Sequence, residues 1–325
     1  MTVSFGRLGL GCAQLGNLYT AIADDVAAAT VAAAWDAGVR YFDTAPPYGL
    51  GLSERRLGAA LRARPRDAYA ISTKVGRLLV PDPAGAGRRD AEGFDVPADH
   101  RRVWDFSADG VHRSVADSLD RLGLDRIDLV LIHDPEEHAS AALDDAYPAL
   151  HKLRAEGAVA AIGVGSKQLA ILDRFAQDTD VDAVMVAGRY TLLEQPALDT
   201  LLPECRRRDI SVINVGVFNS GLLAEETPRG GLPYEYADAP PAIVARAEAI
   251  AAVCARHGTS LPAAALAFAA AHPAVATVVV GAQSPEQARR NAALAAAAPP
   301  GDALWAELVA GGLLRADAPV PGSAS

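Results

Sequence analysis

Short apolar runs and longer amphipathic stretches alternate along this chain almost from end to end. The runs fall at Arg7 to Gly11, Tyr41 to Phe42, Ala70 to Thr73, Leu129 to Ile132, Ala160 to Val164, Ala183 to Val186, Ser211 to Val215 and Thr277 to Val280. They read as strands covered on both faces, the signature of a parallel sheet. Between them apolar positions recur at helical spacing. Val111, Val115, Leu119 and Leu122 share one face, as do Ala146, Leu150 and Leu153, and again Leu198, Leu201, Leu202 and Cys205. Strand candidates separated by crossover helices predict an α/β fold, and their number favours a (β/α)8 TIM barrel over an open doubly wound sheet.

Two connections are longer than βα loops usually are: Gly76 to Ala108 after the third strand and Phe218 to Pro241 after the seventh. Both are expected to rise from the C-terminal rim, where barrel enzymes keep their sites. Residues 1–315 then form a single barrel domain. A short helix is expected at Ala303 to Leu314, followed by a mobile small-residue tail over 316–325. From Ser260 to Pro285 the chain carries no formal charge, which by hydropathy alone resembles a membrane span. His272-Pro273 interrupts it, and the β-branched run at Val275 to Val280 follows, so a helix and then a buried strand are predicted.

Composition narrows the functional classes. The 325 residues carry 30 basic and 40 acidic side chains, a formal net charge of -10. No basic stripe is available to neutralise a phosphate backbone, so nucleic acid is excluded as a partner. Cys12, Cys205 and Cys254 are far apart and lack any C-x-x-C pair, which fits neither a disulfide framework nor a structural zinc site. A reducing cytoplasm is the expected location, with no export signal read at the N-terminus and no membrane partner.

In a barrel, polar residues that end apolar strands converge on one mouth. Here they are Asp43, Lys74 and His133, joined by Tyr48 on the turn Ala45-Pro46-Pro47. Each has an ordinary alternative: a turn cap, a loop aromatic, a snorkelling lysine, a histidine satisfied by Asp134. Together they make an acid-base constellation. A phenol ionises near ~10 and exchanges protons poorly at neutrality unless a cation such as Lys74 lowers that value. Asp43 would hold Lys74, and His133 would direct a hydrogen bond to the reacting oxygen.

The segments DTAPPYG (Asp43 to Gly49), GLSERRLG (Gly51 to Gly58), STKVG (Ser72 to Gly76) and LVLIHD (Leu129 to Asp134) resemble the aldo-keto reductases in order and separation. The resemblance runs from RLGLGCAQLG to SPEQARRN and covers nearly the whole chain. It implies that Tyr48 is the proton donor or acceptor, with Asp43, Lys74 and His133 as partners, and that a nicotinamide cofactor exchanges hydride with a carbonyl or carbinol carbon. Ser166 falls at the place of the cofactor-amide anchor, where the family often has Ser-Asn. Val215 falls where the family often stacks an aromatic on the nicotinamide. Backbone groups from Gly216 to Gly221 and Leu222 would cradle pyrophosphate. The adenosine end is expected at Gly281, Gln283, Gln287 and Asn291, beside the helix start Ser284-Pro285-Glu286. Gly281 and Gln287 stand where NADP-requiring members usually present Lys and Arg, so NAD is the expected cofactor, with NADP possible through Arg289 or Arg290.

The segments GRLL, WDFSADGVHRS, AGRYTLLEQ and GVFNSGLL are similar to the aldose 1-dehydrogenase branch, which oxidises the anomeric carbon of sugars such as L-fucose, D-arabinose or galactose. Tyr19, Trp104, Phe106 and Arg189 are the candidate sugar contacts, although Trp104 and Phe106 suit packing of the long loop nearly as well. Pyridoxal, also a cyclic hemiacetal former, remains an alternative substrate. Two further readings stand outside this class. One is a metal-dependent hydrolase built on His133, Asp134, Glu136, Glu137 and His138, although no metal site is expected without a second well-placed ligand. The other is a non-catalytic, cofactor-sensing partner. The oligomeric state is left open.

Overall fold

A computed structural model describes residues 3–322 apart from 86, 230, 232 and 236. Eight parallel strands close into a barrel: β1 Leu8–Gly11, β2 Tyr41–Asp43, β3 Ala70–Val75, β4 Ile127–His133, β5 Val159–Ser166, β6 Ala183–Ala187, β7 Ser211–Val215 and β8 Val275–Gly281. Each predicted run is a barrel strand. Ladder pairing carries β3 and β4 one or two residues further than their apolar runs, so Lys74 and His133 sit within strands, held by the backbone pairs Lys74↔Leu131 and His133↔Gly165. The helices are α1 Asp24–Asp36, α2 Leu52–Leu61, α3 Ala108–Leu122, α4 Tyr147–Ala155, α5 Leu169–Asp178, α6 Leu201–Arg207, α7 Pro241–Arg256, α8 Leu261–Ala269, α9 Pro285–Ala296 and α10 Asp302–Ala310.

Strand alternation sorts the side chains into two cores. Outward residues such as Phe42, Ile71, Val130, Ile162 and Val184 pack under the helices. Inward residues, among them Tyr41, Leu129, Leu131, Met185, Ile213 and Val279, fill the barrel, with Phe5 edge-on to Tyr41 at 5.0 Å. The same alternation brings Asp43, Lys74 and His133 to the upper, C-terminal layer.

The GLSERRLG segment forms α2 and braces this layer from outside. Ser53 Oγ donates to Cys12 O at 2.6 Å. The buried Glu54 accepts Thr73 Oγ1 at 2.7 Å and Arg121 Nε at 2.5 Å, joining β3, α2 and α3. Gly58 meets α3 so closely that a β-carbon would lie 1.8 Å from Leu122 O.

The uncharged stretch resolves as predicted into α8 and β8 across His272-Pro273, with Ser260 capping α8. Among the described residues no helix is long and apolar enough to cross a membrane. The connection after β3 is more ordered than the loop expected: Arg77–Pro81 and His100–Trp104 pair as an antiparallel hairpin. Among its described residues, the connection after β7 contains only the short pair Pro233–Tyr234 with Ala237–Asp238. The last helix ends at Ala310, earlier than predicted, because Gly311 and Gly312 follow, the latter with φ 66°. Beyond it Ala318 is buried and Val320 packs on the core, so the small-residue segment is not a free tail through residue 322; residues 323–325 lie outside the described part.

Candidate active site

Asp43, Lys74, His133 and Tyr48 meet at the barrel mouth. Lys74 Nζ donates to Asp43 Oδ1 at 2.9 Å, to Asp43 Oδ2 at 2.8 Å and to Thr44 O at 2.9 Å, and lies 3.3 Å from the Tyr48 hydroxyl. Lys74 and Asp43 are buried, so their charges are compensated almost entirely by each other and by these bonds. Ser72 Oγ donates to Asp43 Oδ1 at 2.7 Å, and the buried Tyr41 hydroxyl lies 2.8 Å from Ser72 Oγ. Ser72 and Tyr41 were not among the predicted site residues. Ser72 stands two residues before Lys74 on the same strand face, and that spacing was the signal available for it.

The turn carrying Tyr48 is fixed by a backbone contact. A β-carbon on Gly16 would lie 2.6 Å from Tyr48 C, and one on Gly49, at φ +61°, would lie 2.2 Å from Gly16 O. The His133 and Tyr48 rings stand nearly perpendicular, with centroids 5.9 Å apart.

The charge states follow from burial and neighbours. Burial pushes the Tyr48 phenol up to about 12, with Lys74 opposing the shift. The predicted lowering of this phenol by Lys74 is therefore outweighed by burial. Burial alone would lower the Lys74 amine, but Asp43 and Tyr48 reverse that and hold it above its ordinary range. Burial, then the nearby Lys74 and Arg77 cations, hold His133 well below the usual imidazole range. Near neutrality the mouth thus contains a neutral phenol, an ammonium and a neutral imidazole. This set can give a proton to a carbonyl oxygen, and with the phenol ionised it can take one from a carbinol.

Across the mouth the strand ends are small: Gly11, Gly165, Ala187, Val215 and Gly281. Ser166 is buried, and its hydroxyl donates to Glu136 while accepting from Gln168 N at 2.8 Å, so Glu136 shares the expected amide anchor. After β7, Gly216, Asn219, Ser220 and Gly221 all have positive φ. The N–H groups of Asn219, Gly221 and Leu222 are used by the turn itself, so three amides of the expected pyrophosphate cradle are already engaged. Asn219 Oδ1 is buried without a hydrogen-bond partner, as is His133 Nδ1, and such orphaned atoms fit a site that a polar ligand completes.

At the expected adenosine end Ser284 caps α9, accepting from Gln287 N at 3.3 Å. Gln283 N donates to Gln287 Oε1 at 2.9 Å, and Asn291 Nδ2 donates to Gly281 O at 3.1 Å. Gln14 covers Gly281 so tightly that a β-carbon there would lie 2.4 Å from Gln14 Oε1. Arg290 Nη2 donates to Ala224 O at 3.1 Å, and the exposed Arg289 lies 3.6 Å from Glu286.

The candidate substrate residues divide. Tyr19 is 63% exposed and Trp104 43% exposed. Phe106 is not available as a sugar contact: it is buried, stacks on Trp104 at 5.7 Å and packs against Gly76. Arg189 is likewise engaged, donating to Lys167 O at 3.0 Å and pairing with Glu235, so it fastens the loop after β7. Arg77 joins the rim instead, 4.4 Å from the Trp104 ring and 2.5 Å from Asp134, a residue at φ 43°. The metal-hydrolase reading finds no support, because among the described residues no group of three or more His, Cys, Asp or Glu is placed to hold a metal.

Comparison with known proteins agrees with the barrel fold. The model of the aldo/keto reductase family matches residues 7–305. The chain is 51% identical over 304 residues to D-threo-aldose 1-dehydrogenase from a Pseudomonas species, covering 93% of this chain and 92% of that one. It is 39% identical over 325 residues to pyridoxal 4-dehydrogenase from Microbacterium luteolum, covering 94% of each. Among solved structures, an aldo-keto reductase from Bacillus halodurans in its holo form superposes with a TM-score of 0.78 at 25% identity, covering 97% of this chain and 96% of that one.

Proposed function

Because the chain belongs to the aldo/keto reductase family, we propose that it oxidises the anomeric carbon of a cyclic aldose to a lactone, with Tyr48 exchanging the proton. It is an NAD(P)-dependent oxidoreductase. The observation that carries the finer reading is the Tyr48 hydroxyl, poised 3.3 Å from a lysine that a buried aspartate holds charged. The 51% identity to an aldose 1-dehydrogenase supports a sugar of the L-fucose, D-arabinose or galactose kind. The second reading, pyridoxal oxidation, is favoured by the 39% relative and needs no change in the tetrad.

A bound nicotinamide would supply the hydride acceptor, over the small strand ends and beside Ser166 and Asn219. The chain's own groups manage the proton. The Tyr48 phenolate takes the anomeric hydroxyl proton, Lys74 stabilises that phenolate, and Asp43 keeps Lys74 in place. Neutral His133 donates a hydrogen bond to the same substrate oxygen and fixes its direction. Since the phenol starts protonated, sugar oxidation is expected to accelerate as pH rises from about 7 to about 9, while carbonyl reduction stays flat or falls. His133, being neutral, adds no acid limb near its usual range. Oxidation rates that fall across that interval would contradict the charge states assigned to Tyr48 and His133.

The adenosine end supports NAD, because amide side chains and a glycine occupy it, Arg290 is bonded to Ala224 O, and the exposed Arg289 lies beside Glu286 on the same helix turn. The expected result is a kcat/KM for NAD at least about tenfold above that for NADP, measured with pentoses, 6-deoxyhexoses, hexoses and pyridoxal in turn. A preference for NADP would refute the cofactor assignment, and activity on pyridoxal alone would refute the sugar. The three cysteines are buried free thiols, which suits a cytoplasmic enzyme.

A further inference from the structure

Residues of the hairpin connection after β3 reach back over the Tyr48 turn. The Phe94 ring stacks on the Tyr48 ring, with centroids 5.9 Å apart and planes 27° apart, and Phe94 is itself buried. Arg102, on the returning strand, donates Nη2 to Pro47 O at 2.9 Å, the carbonyl immediately before Tyr48. The same guanidinium holds Asp90 through bonds of 2.6 and 3.0 Å and lies 5.7 Å from the Phe94 ring. The Arg102 and Asp90 side chains are only 7% and 6% exposed. Tyr19 N to Gly93 O and Asp95 N to Asn17 O, both 2.8 Å, stitch the excursion to the connection after β1.

A buried ion pair returns little net stability for its desolvation, so its presence in a connection outside the barrel calls for a geometric reason. We propose that Phe94, Arg102 and Asp90 are positioning residues that clamp Tyr48 against Lys74 and His133. The proposal rests on the proton-exchange role assigned to Tyr48 above. The pair fixes the carbonyl that enters the tyrosine turn, and Phe94 closes the ring face that would otherwise meet water. Small displacements of a reacting group carry large rate penalties, which makes such a clamp consequential.

The test compares Phe94→Ala, Phe94→Leu, Arg102→Met and Arg102→Lys with the parent and with Tyr48→Phe, using the best aldose and saturating NAD. Phe94→Ala and Arg102→Met are expected to lower kcat roughly ten- to a hundredfold with cofactor affinity retained, and the conservative variants less. A second readout is independent of turnover: the alkaline ultraviolet titration of each protein minus the same protein carrying Tyr48→Phe isolates the Tyr48 phenol. Its other charged neighbours, Lys74, Asp43 and Asp134, stay in place, so opening the ring face in Phe94→Ala should move its midpoint down toward ~10. A merely structural role would lower thermal stability without moving that midpoint or splitting kcat from cofactor affinity. Unchanged kcat in both Phe94→Ala and Arg102→Met, or an unchanged midpoint in Phe94→Ala, would overturn the clamp while Tyr48→Phe remains inactive. Full activity of Tyr48→Phe would instead overturn the role of Tyr48 itself, and the clamp with it.

Discussion

Replacing Tyr48 by phenylalanine is expected to lower kcat by about 10²- to 10⁴-fold, the range contributed by a positioned acid or base, with cofactor affinity nearly unchanged. The substitution removes one oxygen from a ring whose position is set by other contacts. Those contacts are the Gly16–Gly49 backbone approach, the Phe94 stack and the perpendicular His133 ring, and none of them uses the hydroxyl. The fold should therefore be indifferent to the change, and the loss should appear in kcat rather than in the KM for NAD. Steady-state kinetics together with a thermal melt check both halves. A Tyr48→Phe enzyme within about tenfold of the parent kcat would move the proton exchange to another group.

Lys74→Met should damage activity and stability together. The methionine fills similar volume, but Asp43 would then be a buried carboxylate with Ser72 as its remaining side-chain donor. Removing one partner of a buried pair typically destabilises by ~3–5 kcal/mol. Thr44 O would lose its ammonium donor as well, and Tyr48 would lose the cation that favours its ionised form. The informative companion is Lys74→Met combined with Asp43→Asn. Without a stranded charge, the double variant should recover most of the denaturant midpoint yet stay as inactive as the single one. If stability does not return, the cost lies in packing at the barrel mouth rather than in the uncompensated carboxylate.

Much of this was legible in the sequence because barrel strands advertise themselves twice. The apolar runs placed all eight strands, and the polar residues just past three of them, Asp43, Lys74 and His133, supplied three members of the candidate site. Tyr48 was found through its turn and its motif. Three kinds of feature were not legible. Hydrogen-bond relays such as Tyr41–Ser72–Asp43 look like ordinary strand composition until register brings neighbouring strands side by side. The Arg102–Pro47 contact joins residues separated by more than fifty positions through a loop whose path no local pattern specifies. Side-chain competition was also invisible. Arg189 reads as a free cation in the sequence and is occupied by Glu235 in the fold, while Phe106, which the sequence leaves between sugar contact and loop packing, is buried and stacked on Trp104.

The approach of Gly16 to Gly49 also limits how this enzyme can be altered. No side chain can be introduced at either position without displacing the turn that carries Tyr48, so libraries aimed at new substrates gain nothing from randomising them. The opposite half of the mouth is permissive by comparison. Ala187 and Val215 end their strands with partly exposed side chains, and a β-carbon on Gly165 would meet only ordinary contacts with Met185, the nearest at 3.4 Å. A larger residue at any of these positions would enter the space proposed above for the nicotinamide while leaving Tyr48 in place, so cofactor affinity should respond there together with substrate range.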